Sequence, residues 1–133
     1  MSKSEQKPRA ADAALGARFV VVSSVGAVRV VELRLPEVLD SEEFDHVNAA
    51  LLQEMSAVGG GRCVLDLSAV EYMGSSMLGL MVNARQRVKS AGGRLVLCCM
   101  SDWLVHTFQT CSLERLFVMA PTRAEALKAV ERK

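Results

Sequence analysis

Between Phe19 and Leu33 the chain runs through short apolar stretches broken by polar residues: Phe19-Val20-Val21-Val22-Ser23-Ser24-Val25, then Val28-Arg29-Val30-Val31-Glu32-Leu33. Runs this short, rich in β-branched residues, read as two strands. Gly26-Ala27 between them reads as a hairpin turn, and Pro36 ends the second strand. The period then changes. Phe44, Val47, Leu51, Met55 and Val58 recur at spacings of three and four, the stripe of an amphipathic helix. Asp40 opens that helix with Glu43 in capping-box position, and Gly59-Gly60-Gly61 stops it. Cys63 to Leu67 is a short apolar run of the kind a buried strand shows. A turn holding Gly74, Ser75 and Ser76 follows, and from about Met77 the spacing is helical again. Met77, Leu80, Met81, Ala84 and Val88 fall on one side, with Arg85, Gln86, Arg87 and Lys89 over much of the other, up to Gly92-Gly93.

Beyond the glycine pair, Arg94 to Cys99 predicts another buried strand. Ser101 predicts the cap of a short helix in which Leu104, Val105 and Phe108 pack inward. Arg115 to Met119 predicts a last short strand. Pro121-Thr122 starts the final helix, with Thr122 and Glu125 in capping-box spacing and Leu127 and Val130 facing in. The order is β-β-α-β-α-β-α-β-α. Strands alternating with helices imply an α/β fold with a mixed, mainly parallel sheet and helices packed against it. Residues 1–16 are polar and Ala-rich without a persistent period, and are expected to be a mobile tail. Residues 17–133 are expected to form the single domain.

Composition narrows the function. Half of the 133 residues are hydrophobic and only 5% are aromatic, so the core is built from Val, Leu, Ala and Met. A net charge of +1 gives no basic field for nucleic acid. No apolar run approaches the ~20 residues that cross a bilayer, and Met1 to Asp12 has no signal-peptide core, so a cytoplasmic location is expected. Of the four cysteines, Cys63, Cys98 and Cys99 lie in strand-like runs and none forms a Cys-x-x-Cys pair with another or with Cys111. Buried, reduced thiols with no metal or cofactor role are the expectation. His46 and His106 fall on separate helices.

The serine turn is where chemistry can enter. Ser is a favoured helix N-cap, and capping alone would explain Ser75 and Ser76. The unpaired N–H groups and the dipole of a helix start also favour negative charge. The surrounding sequence, Val64-Leu65-Asp66-Leu67-Ser68-Ala69-Val70-Glu71-Tyr72-Met73-Gly74-Ser75-Ser76-Met77-Leu78-Gly79, resembles the core motif of STAS domains, the anti-sigma factor antagonist family. The likeness extends through Gly92 to Leu97 and Leu113 to Phe117, and spans roughly Phe19 to Val130. Gly74 stands where that family usually has Asp, and Met77 where it usually has Gly. The resemblance implies a STAS-like domain acting as an anti-sigma factor antagonist. Its partner would be an anti-sigma factor that is itself a serine kinase of the histidine-kinase-like ATPase type. It further implies that a serine of the pair, Ser75 by position with Ser76 beside it, is phosphorylated and thereby releases that partner. Tyr72, Met73, Gly74, Met77 and Leu78 would supply the contact surface. Without the Asp carboxylate, either the kinase provides what orients the serine or the domain is a scaffold that is not switched here. STAS domains also serve as accessory parts of lipid or anion transporters, and a homodimer is compatible with the sequence.

An enzyme reading has one foothold. Gly74-Ser75-Ser76-Met77-Leu78 approaches the Gly-x-Ser-x-Gly elbow of α/β-hydrolases, with Asp102 and His106 following in triad order. Leu78 replaces the second glycine, and Asp102 and His106 fall one turn apart on the same predicted helix, so no catalytic residue is assigned. Gly59-Gly60-Gly61 lacks the Lys and Ser/Thr of a phosphate-binding loop.

Overall fold

The computed structural model describes residues 18–131; the expected N-terminal tail lies outside them. The elements are β1 (Val20–Val25), β2 (Val28–Arg34), α1 (Ser41–Val58), β3 (Arg62–Ala69), α2 (Ser75–Ser90), β4 (Arg94–Cys98), α3 (Asp102–Thr110), β5 (Val118–Ala120) and α4 (Arg123–Glu131). This is the order the hydrophobic pattern predicts. Among the strands, two boundaries differ. The last strand begins at Val118 rather than Arg115, because residues 114–116 form a turn instead. Strand β4 ends at Cys98, and Cys99 leaves it with a φ of 64°.

The five strands form one sheet in the order β1-β2-β3-β4-β5. β1 and β2 are an antiparallel hairpin closed by Gly26-Ala27, and Gly26 takes the positive φ (58°) that a two-residue hairpin turn needs. All other pairings are parallel, with Cys63 opposite Leu95 and Asp66 opposite Cys98. Cys63 to Leu67 is buried throughout, as expected of the central strand of a sheet covered on both faces.

One sheet face carries Val31, Leu33, Cys63, Leu65, Leu67 and Leu97, and packs against Val47, Leu51 and Met55 of α1 and Leu80, Met81, Ala84 and Val88 of α2. Leu104 and Phe108 of α3 complete this core, the Phe108 ring tilted against Phe117 with their centroids 5.6 Å apart. The other face, Val28, Val30, Val64, Val96 and Cys98, is smaller and meets Ala126 and Val130 of α4. Asp40 caps α1 reciprocally: the Glu43 N–H donates to its carboxylate at 2.8 Å, and its own N–H donates to the Glu43 side chain at 3.1 Å. Ser101 and Thr122 accept in the same way from Leu104 and Glu125. The caps fix where three helices enter, and α2 is the exception.

Candidate functional site

Helix α2 begins at Ser75, two residues before the sequence pattern places it, and neither serine caps it. The cap position falls to Gly74, whose extended backbone (φ −79°, ψ 179°) hands β3 over to the helix without any side-chain hydrogen bond. The Leu78 N–H donates to the Gly74 carbonyl at 3.0 Å, closing the first turn. Ser75 and Ser76 are therefore the first two helical residues, and both are exposed. Their hydroxyls stand at the positive end of a helix with no acidic residue in its first turn.

The contact residues around the turn divide. Met73 and Met77, offered with the others as contact surface, are buried in the core beneath it, and Met77 keeps only a 5% exposed edge at the groove. Their spacing explains this, since Met77 shares the inward stripe with Leu80, Met81 and Ala84. Tyr72 is 54% exposed, while Gly74 and Leu78 are half-buried.

Facing the serines is the loop between β2 and α1. Together they bound an open groove of about 560 Å³, with Leu35, Pro36, Val38 and Phe44 on one wall and Tyr72, Ser75, Ser76 and Met77 on the other. Every charged residue lining it is acidic: Glu37, Asp40 and Asp45. Val38 is 79% exposed, the most exposed large apolar side chain of the described residues. Sequence reasoning missed this wall, whose only signal was an apolar residue stranded in the loop after Pro36.

Sequence reasoning also missed Asp66. It is buried on the α4 face of β3, where its carboxylate accepts from the Ser68 N–H at 2.8 Å and from Arg123 Nη2 and Nε at 2.6 and 3.0 Å. Burial pushes this carboxyl up, but the hydrogen bonds from Ser68 and Arg123 outweigh it and hold it below the ordinary range. Asp66 in turn raises the Arg123 guanidinium. The two residues are 57 positions apart, so no local pattern signals the pair. Asp102 and His106 sit one turn apart on α3, both exposed, and not on the separate loops of a hydrolase triad.

The architecture is an antiparallel hairpin leading a parallel sheet, with a helix opening on exposed serines after the central strand. The model of the STAS domain family matches residues 21–126, and the chain belongs to that family. Its fold is similar to that of an anti-sigma factor antagonist (STAS) domain protein from Planctomyces limnophilus, at 26% identity and a TM-score of 0.74, covering 85% of this chain and 98% of that one. An anti-sigma factor antagonist from Mycobacterium paratuberculosis shares the fold at 23% identity and a TM-score of 0.70, covering 85% and 93%. So does the Bacillus cell fate determinant SpoIIAA in its phosphorylated form, at 19% identity and a TM-score of 0.60, covering 84% and 99%. Anti-sigma factor antagonists are typically regulators without enzymatic activity. Among the described residues no helix is long and apolar enough to cross a membrane.

Proposed function

We propose that this protein is a cytoplasmic anti-sigma factor antagonist, which binds an anti-sigma factor with serine kinase activity through the groove between the β2–α1 loop and the start of α2. The observation that carries the reading is the pair of exposed hydroxyls of Ser75 and Ser76, at an uncapped helix start, on the wall of that groove. Exposed Val38 and Tyr72 supply apolar contact, and Glu37, Asp40 and Asp45 favour a basic segment of the partner.

Phosphorylation of Ser75 is the switch in this reading. The phosphate brings about −1.5 to −2 charges, which the helix dipole accommodates without melting α2. It also crowds the groove and adds charge beside three carboxylates. A partner packed there loses contacts and must desolvate the new charge. The absence of a carboxylate at Gly74 favours a second reading, in which the groove binds its partner without being switched.

Ser75→Asp tests the site with the kinase-type anti-sigma factors of the source cell as titrants. The fold is expected to persist, and affinity to fall by about 1–3 kcal/mol, as when an unpaired charge enters a packed contact. Titration calorimetry reads the affinity, and mass spectrometry after incubation with ATP and magnesium reads the phosphate. Unchanged affinity in Ser75→Asp removes the turn from the interface. Weakened binding with no phosphate on Ser75 or Ser76 leaves the scaffold.

A further inference from the structure

Strand β4 ends on Cys98, and the backbone bends at the cysteine that follows it. In an extended strand neighbouring side chains point to opposite faces. Cys99 instead has a φ of 64°, in the left-handed region that few residues other than glycine adopt. The bend puts both thiols on one side, with their Sγ atoms 3.4 Å apart. Directly across the β3–β4 ladder from Cys98 is Asp66. A carboxylate oxygen of Asp66 and the two Sγ atoms all lie within 4.8 Å of one another. Cys98 is buried and Cys99 half-buried, so the cluster has an inner ligand and an opening.

We propose that Cys98, Cys99 and Asp66 form a binding site for a thiophilic divalent cation, with zinc the ion that the geometry fits and Arg123 positioning the carboxylate. Size, charge and ligand chemistry each support it. On a tetrahedral zinc with Zn–S of about 2.3 Å, two thiolates stand about 3.8 Å apart, so the pair has to open by only about 0.4 Å. Three protein ligands leave the fourth position for water. Binding follows M²⁺ + 2 R–SH → M(SR)₂ + 2 H⁺. The cation replaces two thiol protons, and Asp66 and Arg123 already cancel, so the net charge of the cluster is unchanged. Burial pushes the Cys98 thiol up, which disfavours a free thiolate but not one made directly on a metal. Asp66 Oδ2 accepts from both Nε and Nη2 of Arg123, whereas Oδ1 has a second lone pair beyond the one given to the Ser68 N–H, and that lone pair faces no guanidinium donor. The guanidinium can therefore stay in place and orient the ligand, as outer partners of metal sites commonly do. Two sulfur ligands select against magnesium and calcium. The site lies on the α4 face of the sheet, opposite the core that carries α2, and stands independently of the groove reading.

The test uses the full chain carrying Cys111→Ser, which removes the exposed thiol from the background. Cadmium titration, followed by the ultraviolet thiolate-to-metal band, is expected to saturate at one ion per chain, and zinc to compete it away. Cys98→Ser and Cys99→Ser are each expected to abolish the band, and Asp66→Asn to weaken binding at least tenfold. In the fully native chain, which retains Cys111, zinc is expected to slow the reaction of Cys99 with a thiol reagent and leave Cys111 unaffected, a readout that needs no substitution. No saturable binding, a band that survives Cys99→Ser, full affinity in Asp66→Asn, or no zinc protection of Cys99 would each overturn the site.

Discussion

The cap position of helix α2 is a glycine, which has no side chain to accept from the first turn, and Gly74→Asp measures what that costs. The backbone at Gly74 is already that of a side-chain cap, so no rearrangement is required (φ −79°, ψ 179°). A Cβ added there would stand 3.8 Å from the nearest atoms, the Tyr72 ring carbon and hydroxyl, an ordinary contact without a clash. An aspartate would accept from an unpaired N–H of the first turn, worth a few tenths of a kcal/mol over glycine. Its charge would add ~0.3–1 kcal/mol at the helix dipole. Repulsion from Asp40 and Asp45 across the groove takes back part of this at low salt. The net expectation is a gain of ~0.5–1 kcal/mol, or roughly 2–4 °C in Tm for a domain of this size. Gly74→Ala is the control. It has no acceptor and should fall slightly below the native chain, since alanine is a poorer cap than glycine. Thermal melts by circular dichroism, with urea titrations at two salt concentrations, read the order Asp > Gly > Ala. If Gly74→Asp melts at or below Gly74→Ala, the assignment of Gly74 as the cap is wrong.

Two other glycines should respond in opposite directions to alanine. At Gly93 a Cβ would lie 2.6 and 2.9 Å from the carbonyl oxygens of Gly59 and Gly61, so Gly93→Ala should cost about 1–3 kcal/mol in urea unfolding. Gly79, mid-helix with nothing within 4 Å, should gain ~0.5–1 kcal/mol as Gly79→Ala. The Cys63 thiol, pushed up by burial to about 12 from 9.0, keeps its proton in the folded state while the unfolded chain loses it, so stability falls as pH rises across that interval. The Cys63 share of the slope, up to ~1.4 kcal/mol per pH unit, should be lost in Cys63→Ala when the two unfolding curves are compared, leaving the share of the Cys98 thiol, which burial also raises. Arg123→Met leaves the buried Asp66 carboxylate with Ser68 as its remaining hydrogen-bond donor. It should cost about 1–3 kcal/mol in denaturant unfolding, the low end being expected because the Arg123 side chain is 42% exposed.

The order of elements was legible because each declares itself locally. The stripe from Phe44 to Val58, the apolar run from Cys63 to Leu67 and the capping residues Asp40, Ser101 and Thr122 all express backbone and burial preferences that act within a few residues. Resemblance in the stretch from Val64 to Gly79 likewise pointed to the family that the chain belongs to. The details that make a site were not local. Which of Tyr72, Met73 and Met77 faces outward depends on where α2 begins, and Gly74 rather than a serine decides that by taking the extended cap conformation. The groove exists because the β2–α1 loop comes to lie against the start of α2, a neighbour distant in sequence. Likewise, Asp66 meets Arg123 and the Cys98–Cys99 pair only because parallel pairing of β3 with β4, and the docking of α4 on that face, close loops tens of residues long. Local propensity carries no information about such closures; burial of the two sheet faces sets them, and it is satisfied only when the whole chain has folded.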